Sequence, residues 1–235
     1  GREDDELFKK FWPVDVHVIG KDILRFHTAI WPAMLMSAGL PLPKSLLVHG
    51  LITSGGVKMS KSIGNVIDPY ELISEYGTDA VRYYLTREVS TFEDGDLTLE
   101  KFKEAYNANL ANGLGNLVSR IMKMAQDNLN EPVNTEEEIF PKIDYGIQIE
   151  SFNIQKAIDM VWQYIGKIDA DIQLLQPFKV VKEDKEKGEK MIREFVQSLF
   201  VVAKNLEPFM PETYAKIKSA IKENKMPETL FPRKD

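Results

Sequence analysis

A near-continuous run of apolar residues, Ser45–Ile52 (SLLVHGLI), constrains the fold of this chain more than any other feature. Such a run is typical of a strand that is buried on both faces of a parallel sheet. A valine-rich, alternating segment, Val14–Ile19, precedes it and predicts another strand. Between the two we expect a helix that has Asp22 as its N-cap and continues to about Ser37. Strand, helix and strand in this order predict a βαβ unit, half of a nucleotide-binding sheet.

A five-residue string, Lys58-Met59-Ser60-Lys61-Ser62, follows this unit and is called the lysine loop below. It sets two ammonium groups three residues apart among short hydroxyl side chains. Glycines on both sides, Gly55-Gly56 and Gly64, allow the backbone to bend and move. Mobile cations with hydroxyl donors suit a substrate whose phosphate oxygens gain negative charge during a reaction. The plain alternative is an exposed Lys/Ser turn, but the full string and its flanks favour the phosphate interpretation.

The chain changes character at Glu93–Asp96, which we predict to be a turn and the boundary between two domains, residues 1–96 and 97–235. Short helices are expected from Asp68-Pro69 and over Thr78–Thr86. Beyond the boundary, four segments have helical apolar spacing: Leu99–Leu129, Gln148–Leu175, Lys185–Asn205 and Pro211–Lys222. The charged run Lys182–Lys190 predicts a solvated loop and a helix start. The predicted fold class is therefore α/β, a partial Rossmann-type nucleotide-binding fold, followed by an all-α helical bundle.

Composition limits the classes of protein to which the chain can belong. The 235 residues are 43% hydrophobic, which is enough for a buried core, and the net charge of −6 argues against a non-specific nucleic-acid binder. The chain has no cysteine, which excludes disulfides and any cysteine-based zinc site in these residues. No apolar stretch is long enough to span a bilayer, so we expect a cytoplasmic protein with no membrane partner. We also expect no metal site within these residues.

The lysine loop resembles the signature of class I aminoacyl-tRNA synthetases. Two upstream stretches, Phe11–His27 (FWPVDVHVIGKDILRFH) and Trp31–Leu35 (WPAML), resemble the methionyl-tRNA synthetase family in particular. The likeness is strongest over residues 11–68, good over 77–120 and only general beyond about 130. It implies the second half of a class I catalytic fold followed by an anticodon-binding helical domain.

The resemblance implies an ATP site and a methionine site. Lys58 and Lys61 are the expected catalytic residues. The expected ATP-binding residues are Lys21, Asp22, His49, Gly50, Lys58, Met59, Ser60, Lys61 and Ser62. Asp22 would contact the ribose hydroxyls unless it is only a helix cap, and His49 would line the adenine pocket unless it is a buried, satisfied histidine. Phe26, His27 and Trp31 would surround the methionine side chain, although aromatic residues on a helix are more often core. His17 is interpreted as structural.

The resemblance also implies an anticodon site. Asn112, Asn116 and Arg120 recur every four residues on the first bundle helix, and the family uses the matching asparagine and arginine to contact the anticodon. The alternative is a plain polar outer face. Phe178 stands where the family usually carries a tryptophan that stacks on an anticodon base; phenylalanine can stack but lacks the indole N–H.

The function implied is ATP-dependent activation of methionine to methionyl-adenylate and transfer to tRNA(Met), with Mg²⁺ bound to the ATP. The first class I signature, His-x-Gly-His, is not found in the sequence, so we expect a C-terminal fragment whose N-terminal half lies in the same or a separate chain. Two alternatives stay open: a sister synthetase for isoleucine, valine, leucine or cysteine, and a tRNA-binding module without catalysis.

Overall fold

The computed structural model of the chain describes residues 5–135 and 143–235. A short helix, α1 (Glu6–Phe11), precedes a parallel pair of strands, β1 (Val16–Gly20) and β2 (Ser45–His49). The pair is in register along its whole length, with Val16 opposite Ser45 and Gly20 opposite His49. The predicted βαβ unit is therefore confirmed.

The connection from β1 to β2 is one helical stretch of three types. Lys21–Ile23 forms a 3-10 turn, Phe26–Ile30 is π-helical, and α2 (Trp31–Ser37) completes it. The predicted end at Ser37 is confirmed, but the prediction that Asp22 is the N-cap is wrong. Gly20 occupies the cap with extended backbone (φ −76°, ψ 155°), because the chain turns into the helix directly from the last residue of β1. Asp22 therefore lies inside the first turn.

The apolar run Ser45–Ile52 is divided between two sheets, so the prediction of one continuous strand is wrong. After β2, the chain forms β3 (Ile52–Ser54), which pairs antiparallel with β4 (Val57–Lys58) and parallel with β5 (Gly95–Asp96). The division falls at Gly50, where the carbonyl oxygen of Glu93 lies 1.9 Å from the place a Cβ would take. The predicted turn over Glu93–Asp96 is likewise partly wrong, because its last two residues pair with β3.

The parallel pair is only partly covered. In β2, Leu47 is buried and the other four residues are partly or fully exposed. In β1, Ile19 is buried and Val18 is 63% exposed. The expectation that β2 is buried on both faces is therefore wrong for the described residues, because the single helical connection covers one face of a two-stranded sheet.

The helical part begins with α3 (Pro69–Tyr76), α4 (Thr78–Tyr83) and a π-helical segment, Tyr84–Glu88. A continuous rod follows, made of α5 (Leu99–Ala105), a ten-residue π-helical segment (Tyr106–Gly115) and α6 (Asn116–Asn128). The remaining helices are α7 (Gly146–Glu150), α8 (Ile154–Leu175), α9 (Pro177–Glu183), α10 (Lys185–Leu206) and α11 (Pro211–Glu223).

The four long helices occur where the periodicity predicts them, with two corrections. The predicted helix Gln148–Leu175 is interrupted, because Phe152 adopts a positive φ of 57° between α7 and α8. The run Lys182–Lys190 contains the predicted helix start, but its predicted loop is reduced to Asp184: α9 runs to Glu183, and the side chain of Asp184 caps α10 by accepting a hydrogen bond from the Lys187 amide at 3.1 Å.

A single hydrophobic cluster extends from Leu72 to Phe231. Ile121, Ile158, Leu199 and Ile217 contribute one fully buried side chain each from α6, α8, α10 and α11. Residues of α3 and α4 belong to the same cluster, so these short helices pack on the bundle; the division at residue 96 stays a prediction. Within the described ranges, no helix is both long and apolar enough to cross a lipid bilayer.

Candidate functional site

A tight hairpin carries the lysine loop. Strands β3 and β4 are joined by Gly55 and Gly56, whose φ angles are 63° and 75°. Positive φ at both central residues is the requirement of a type I′ turn, which glycine meets without strain. Lys58 is the last residue of β4 and lies opposite Thr53. One of the two predicted catalytic lysines is thus fixed by strand pairing at the start of the loop.

The loop beyond Lys58 is closed by its own hydrogen bonds. Asn65 accepts a hydrogen bond from the Ser60 amide at 2.9 Å and donates to the carbonyl oxygen of Lys58 at 3.3 Å. The hydroxyls of Ser60 and Ser62 are 2.7 Å apart. Asn65 was not predicted as a site residue, although its place just after Gly64 marks it as the residue that ends the loop.

The side chains of the loop divide into two groups. Lys58, Lys61 and Ser62 are exposed, while Met59 is half-buried and packs against the main hydrophobic cluster. The methionine therefore anchors the loop, and both ammonium groups are free to meet a ligand in solution.

Asp22 and His49 converge at the carboxyl ends of β1 and β2. A Cβ on Gly20 would lie 2.8 Å from Asp22 Oδ1 and 3.7 Å from His49 Cε1, so the two side chains flank this glycine. His49 is exposed, and its Nδ1 is 2.8 Å from the Gly50 carbonyl oxygen, which the ring nitrogen must contact as a donor. His49 is therefore not the buried histidine of the alternative interpretation. Ligands of open α/β sheets bind at this edge.

Asp94 joins this sheet edge to the hairpin. Its carboxylate accepts hydrogen bonds from the Lys21 ammonium, which follows β1, and from the Leu51 amide at 2.8 Å, which precedes β3. The Lys21 hydrogen bond, followed by the Leu51 amide, lowers the pKa of Asp94. The predicted ATP ligand Lys21 is thus held in an ion pair beside the β3–β4 hairpin. Asp94 was not predicted as a site residue, because Asp-Gly-Asp is a common turn string.

The three predicted methionine-binding residues lie on the helical connection after β1. His27 is half-buried and its Nδ1 is 3.1 Å from the Ile23 carbonyl oxygen, which assigns a proton to Nδ1 and leaves Nε2 as an acceptor in the neutral ring. Trp31 is half-buried, and its buried Nε1 finds no hydrogen-bond partner among the described residues. Phe26 is 58% exposed. His27 and Trp31 thus form a wall with unused polar atoms, and Phe26 stands outside it.

Two residues that were not predicted as site residues in the sequence analysis complete this wall. The ring of His17, interpreted there as structural, lies 5.8 Å from the ring of His27, and its Nε2 is buried without a partner among the described residues. Trp12 meets Trp31 edge to face at 6.0 Å, and its indole nitrogen donates to the Pro41 carbonyl oxygen at 3.1 Å. The alternating position of His17 in β1 places it on the side of the sheet that the helix covers. This alternation is the signal in the sequence that could have identified His17 as a site residue.

The predicted anticodon residues lie on the rod that begins with α5. Asn112 is in the π-helical segment, Asn116 and Arg120 are in α6, and all three side chains are exposed. Arg120 forms an ion pair with Asp169 of α8, and the amide of Gln173 donates to the other oxygen of Asp169 at 2.6 Å. The guanidinium of Arg120 is therefore held by a partner from a neighbouring helix, which sequence spacing could not reveal.

Phe178 lies at the junction of α8 and α9. Gln176 turns the chain there with a left-handed φ of 46°, and Phe178 follows as the second residue of α9 with 42% of its surface exposed. Leu174 and Leu175, at the end of α8, are also exposed, at 78% and 48%. The phenylalanine is thus presented to solvent, as a stacking residue must be.

Comparison with known proteins identifies the family. Residues 1–122 match the family model "tRNA synthetases class I (M)". The chain belongs to the class I tRNA synthetases of the methionyl type. The methionine–tRNA ligase of Clostridium acetobutylicum is 43% identical over 235 residues, which cover 94% of this chain and 36% of that protein. The methionine–tRNA ligase of Thermotoga maritima is 39% identical over 223 residues, covering 89% of this chain and 36% of that protein.

The fold agrees with this assignment. Mycobacterium tuberculosis methionyl-tRNA synthetase, solved in complex with methionyl-adenylate, superposes with a TM-score of 0.80 and 33% identity, covering 99% of this chain and 51% of that one. The free form of the same enzyme superposes equally well, with a TM-score of 0.80 and 30% identity. The chain therefore spans about a third of the length of these curated relatives and about half of the length of these solved chains.

Proposed function

We propose that this chain carries part of the active site and the anticodon-binding domain of a methionine–tRNA ligase. In the first step a methionine carboxylate oxygen attacks the α-phosphorus of ATP, and the bond from that phosphorus to the pyrophosphate oxygen breaks. In the second step a ribose hydroxyl of the terminal adenosine of tRNA(Met) takes the methionyl group, and AMP leaves. Such phosphoryl chemistry depends mainly on positioning and charge stabilisation.

The lysine loop acts on the pyrophosphate. Lys58 and Lys61 hold the β and γ phosphates as negative charge develops on them, together with the Mg²⁺ that ATP brings as part of the substrate. Ser60, Ser62 and the flanking glycines let the loop close over ATP and reopen. The exposure of both ammonium groups, on a loop anchored by Met59, supports this role.

The other predicted residues bind the remaining parts of the substrates. Asp22 contacts the ribose of ATP, and the backbone of His49-Gly50 lines the adenine pocket. His27 and Trp31 line the methionine pocket, where a polarizable thioether gains from aromatic edges, while Phe26 supports them. Asn112, Asn116, Arg120 and Phe178 contact the splayed anticodon bases by hydrogen bonding and stacking.

The contact of Asp94 with both Lys21 and Leu51 is the single observation that carries the proposal. It joins the residue after β1 to the residue before β3, which supports a shared site for the groups that bind phosphate, ribose and methionine.

We further propose that residues 1–235 alone bind tRNA but do not activate methionine. The His-x-Gly-His signature, which grips the other side of the triphosphate in class I enzymes, is not in this sequence. The parallel pair is also open to solvent at Val18. In this proposal, the open region binds the N-terminal half of the catalytic domain, which lies on the same or a separate chain.

The test is methionine-dependent ATP–pyrophosphate exchange. We expect the full-length enzyme that contains this chain to exchange with methionine and not with isoleucine, valine, leucine or cysteine. Exchange driven by one of those four amino acids would establish the sister-synthetase alternative. Filter binding of tRNA(Met) to residues 1–235, compared with a tRNA that carries another anticodon, measures the second activity separately.

A further inference from the structure

The carboxylate of Asp96 is bonded to two parts of the molecule at once. Its Oδ1 accepts hydrogen bonds from the Gly56 amide at 2.8 Å and from the Thr53 hydroxyl at 3.0 Å, a proton that the hydroxyl shares with the Gly95 carbonyl oxygen at 3.0 Å. Its Oδ2 accepts a charge-assisted hydrogen bond from the Lys101 ammonium at 2.7 Å. The first two donors belong to the β3–β4 hairpin, whereas Lys101 belongs to α5.

The backbone of Asp96 is equally fixed. It pairs with Thr53 in the parallel β3–β5 ladder, where the Leu97 amide donates to the Thr53 carbonyl oxygen at 2.9 Å. The hydroxyl of Tyr84, a buried residue of the main cluster, donates to the Asp96 carbonyl oxygen at 3.2 Å. A carboxylate on so restrained a backbone can hold a mobile element in one place.

At its hairpin end, the hydrogen-bond network of Asp96 includes the residue that lies opposite the first residue of the lysine loop. Thr53, whose hydroxyl Asp96 holds, is the cross-strand partner of Lys58. Gly56 is the second central residue of the type I′ turn, and the hairpin's own ladder does not use its amide. Asp96 therefore fixes both the tip and the base of the hairpin from which Lys58 extends.

The other end leads to the helical core. Lys101 is in the first turn of α5, next to Phe102, which is 1% exposed and packs in the main cluster. Asp96 thus connects an exposed hairpin to a rigid helix. Groups that act on a transition state need support of this kind, because a misplacement of about 1 Å can cost roughly a hundredfold in rate.

We propose that Asp96 is a positioning residue for adenylate formation, holding the β3–β4 hairpin against α5 so that Lys58 meets the triphosphate of ATP in a fixed geometry. This proposal rests on the proposed function of the lysine loop. Asp96 does not touch the reacting atoms; it acts through Thr53, Gly56 and the strand that carries Lys58.

The test uses the full-length enzyme with three substitutions. Asp96→Ala removes both ends of the network, Lys101→Met removes only the α5 end, and Thr53→Val removes only the hydroxyl at the hairpin. We expect kcat of ATP–pyrophosphate exchange to fall about 10- to 100-fold for Asp96→Ala and less for the two partial variants. The KM for methionine should stay within about twofold of the wild-type value, because the proposed methionine-binding residues His27 and Trp31 do not depend on the hairpin. Lys216→Met, an exposed lysine of α11, is the control and should behave as wild type.

Hydrogen exchange of the same proteins gives a readout that a loss of global stability does not imitate. In Asp96→Ala, peptides covering residues 52–58 should exchange faster, while peptides from α10 keep their wild-type rates. Unchanged exchange in the hairpin, or an unchanged kcat despite faster exchange, overturns the proposal. If Asp96→Ala does not fold, the same criteria apply to Lys101→Met and Thr53→Val. A wild-type enzyme without methionine-dependent exchange instead refutes the proposed function, so the two failures are distinguishable.

Discussion

Asp79 on α4 accepts a hydrogen bond from the backbone amide of Thr213, 134 positions later in the chain, at 2.6 Å. Both residues are buried, with 4% and 3% of their surfaces exposed. Thr213 lies in the first turn of α11, where the amides have no partner within the helix, and the residue before that helix, Met210, offers no side-chain cap. Asp79 therefore caps α11 from a distant helix. Arg82 adds to the same junction by donating to the carbonyl oxygens of Pro208 and Phe209 at 2.8 and 2.7 Å.

From this contact we expect Asp79→Ala to lower the free energy of unfolding by about 1–3 kcal/mol, because a buried amide loses its acceptor and the helix loses its cap. Urea unfolding followed by circular dichroism measures the change. Asp171→Ala, a partly exposed aspartate on α8, is the control and should change stability by less than about 0.5 kcal/mol. Equal losses for the two variants would show that the cap contributes nothing specific.

For the lysine loop we expect Lys61→Ala, in the full-length enzyme, to slow adenylate formation by about 10²- to 10³-fold with little change in the KM for methionine. The reason is that charge on the pyrophosphate develops mainly in the transition state. Lys58→Ala should also be harmful, but less so. The control is Lys44→Ala, which should leave the rate unchanged. Lys44 is an exposed lysine just before β2, and it pairs with Asp15. A raised methionine KM with an unchanged kcat in Lys61→Ala would contradict the assignment.

For the bundle we expect Arg120→Ala and Asn116→Ala each to reduce kcat/KM for tRNA charging roughly 5- to 150-fold, which corresponds to about 1–3 kcal/mol of lost transition-state stabilisation. Both variants should leave ATP–pyrophosphate exchange intact. The two reactions use different parts of the chain, so their responses should separate. Asp169→Ala tests whether the ion pair orients Arg120; it should reduce charging by a smaller factor. Parallel losses in both assays would mean that these residues hold the fold and do not contact RNA.

The local patterns of the sequence predicted most of the secondary structure. Helical periodicity placed α5–α6, α8, α10 and α11, and two apolar runs separated by a helix predicted the parallel pair. These features depend on neighbours within one turn or one strand, and a sequence displays such neighbours directly. The lysine loop was found for the same reason, since five adjacent residues carry its chemistry.

The parts that the sequence did not predict depend on contacts between distant residues. The division of Ser45–Ile52 at Gly50 follows from the backbone of Glu93, and the strand at Gly95–Asp96 exists because β3 is beside it. Asp94, Asp96 and Asp169 have clear roles only once their lysine, arginine and amide partners are known. A turn string such as Asp-Gly-Asp contains no information about which hairpin it will hold.

The ionisation of Asp96 offers a direct test of its contacts. The Gly56 amide, followed by the Lys101 ammonium, lowers the pKa of the Asp96 carboxyl from 3.8 to about 2. Because the pKa in the folded chain is depressed, the stabilising contribution is complete above pH 3.8 and is lost as the pH falls through about 2. A carboxyl carbon NMR titration should therefore give an Asp96 midpoint near 2, and Lys101→Met should raise it. A midpoint near 4 in the wild type would show that these hydrogen bonds do not form in solution.

The last prediction concerns residues 1–235 as an isolated polypeptide. We expect no methionine-dependent pyrophosphate exchange at an enzyme's rate, because two exposed lysines without a pre-organised opposite wall bind a triphosphate weakly and unselectively.

The apolar surface around the parallel pair gives this prediction a second, physical readout. Phe11, Val18, Phe26, Met34 and Met36 are between 58% and 69% exposed. Exposed apolar side chains beside an open strand favour association, so the isolated polypeptide should self-associate at micromolar concentration, as measured by sedimentation velocity. Adding the N-terminal half of the catalytic domain as a separate polypeptide should suppress self-association and restore exchange together. A monomer that exchanges pyrophosphate unaided would refute the prediction, whereas suppression without restored exchange would show that the two halves bind but do not form the active site.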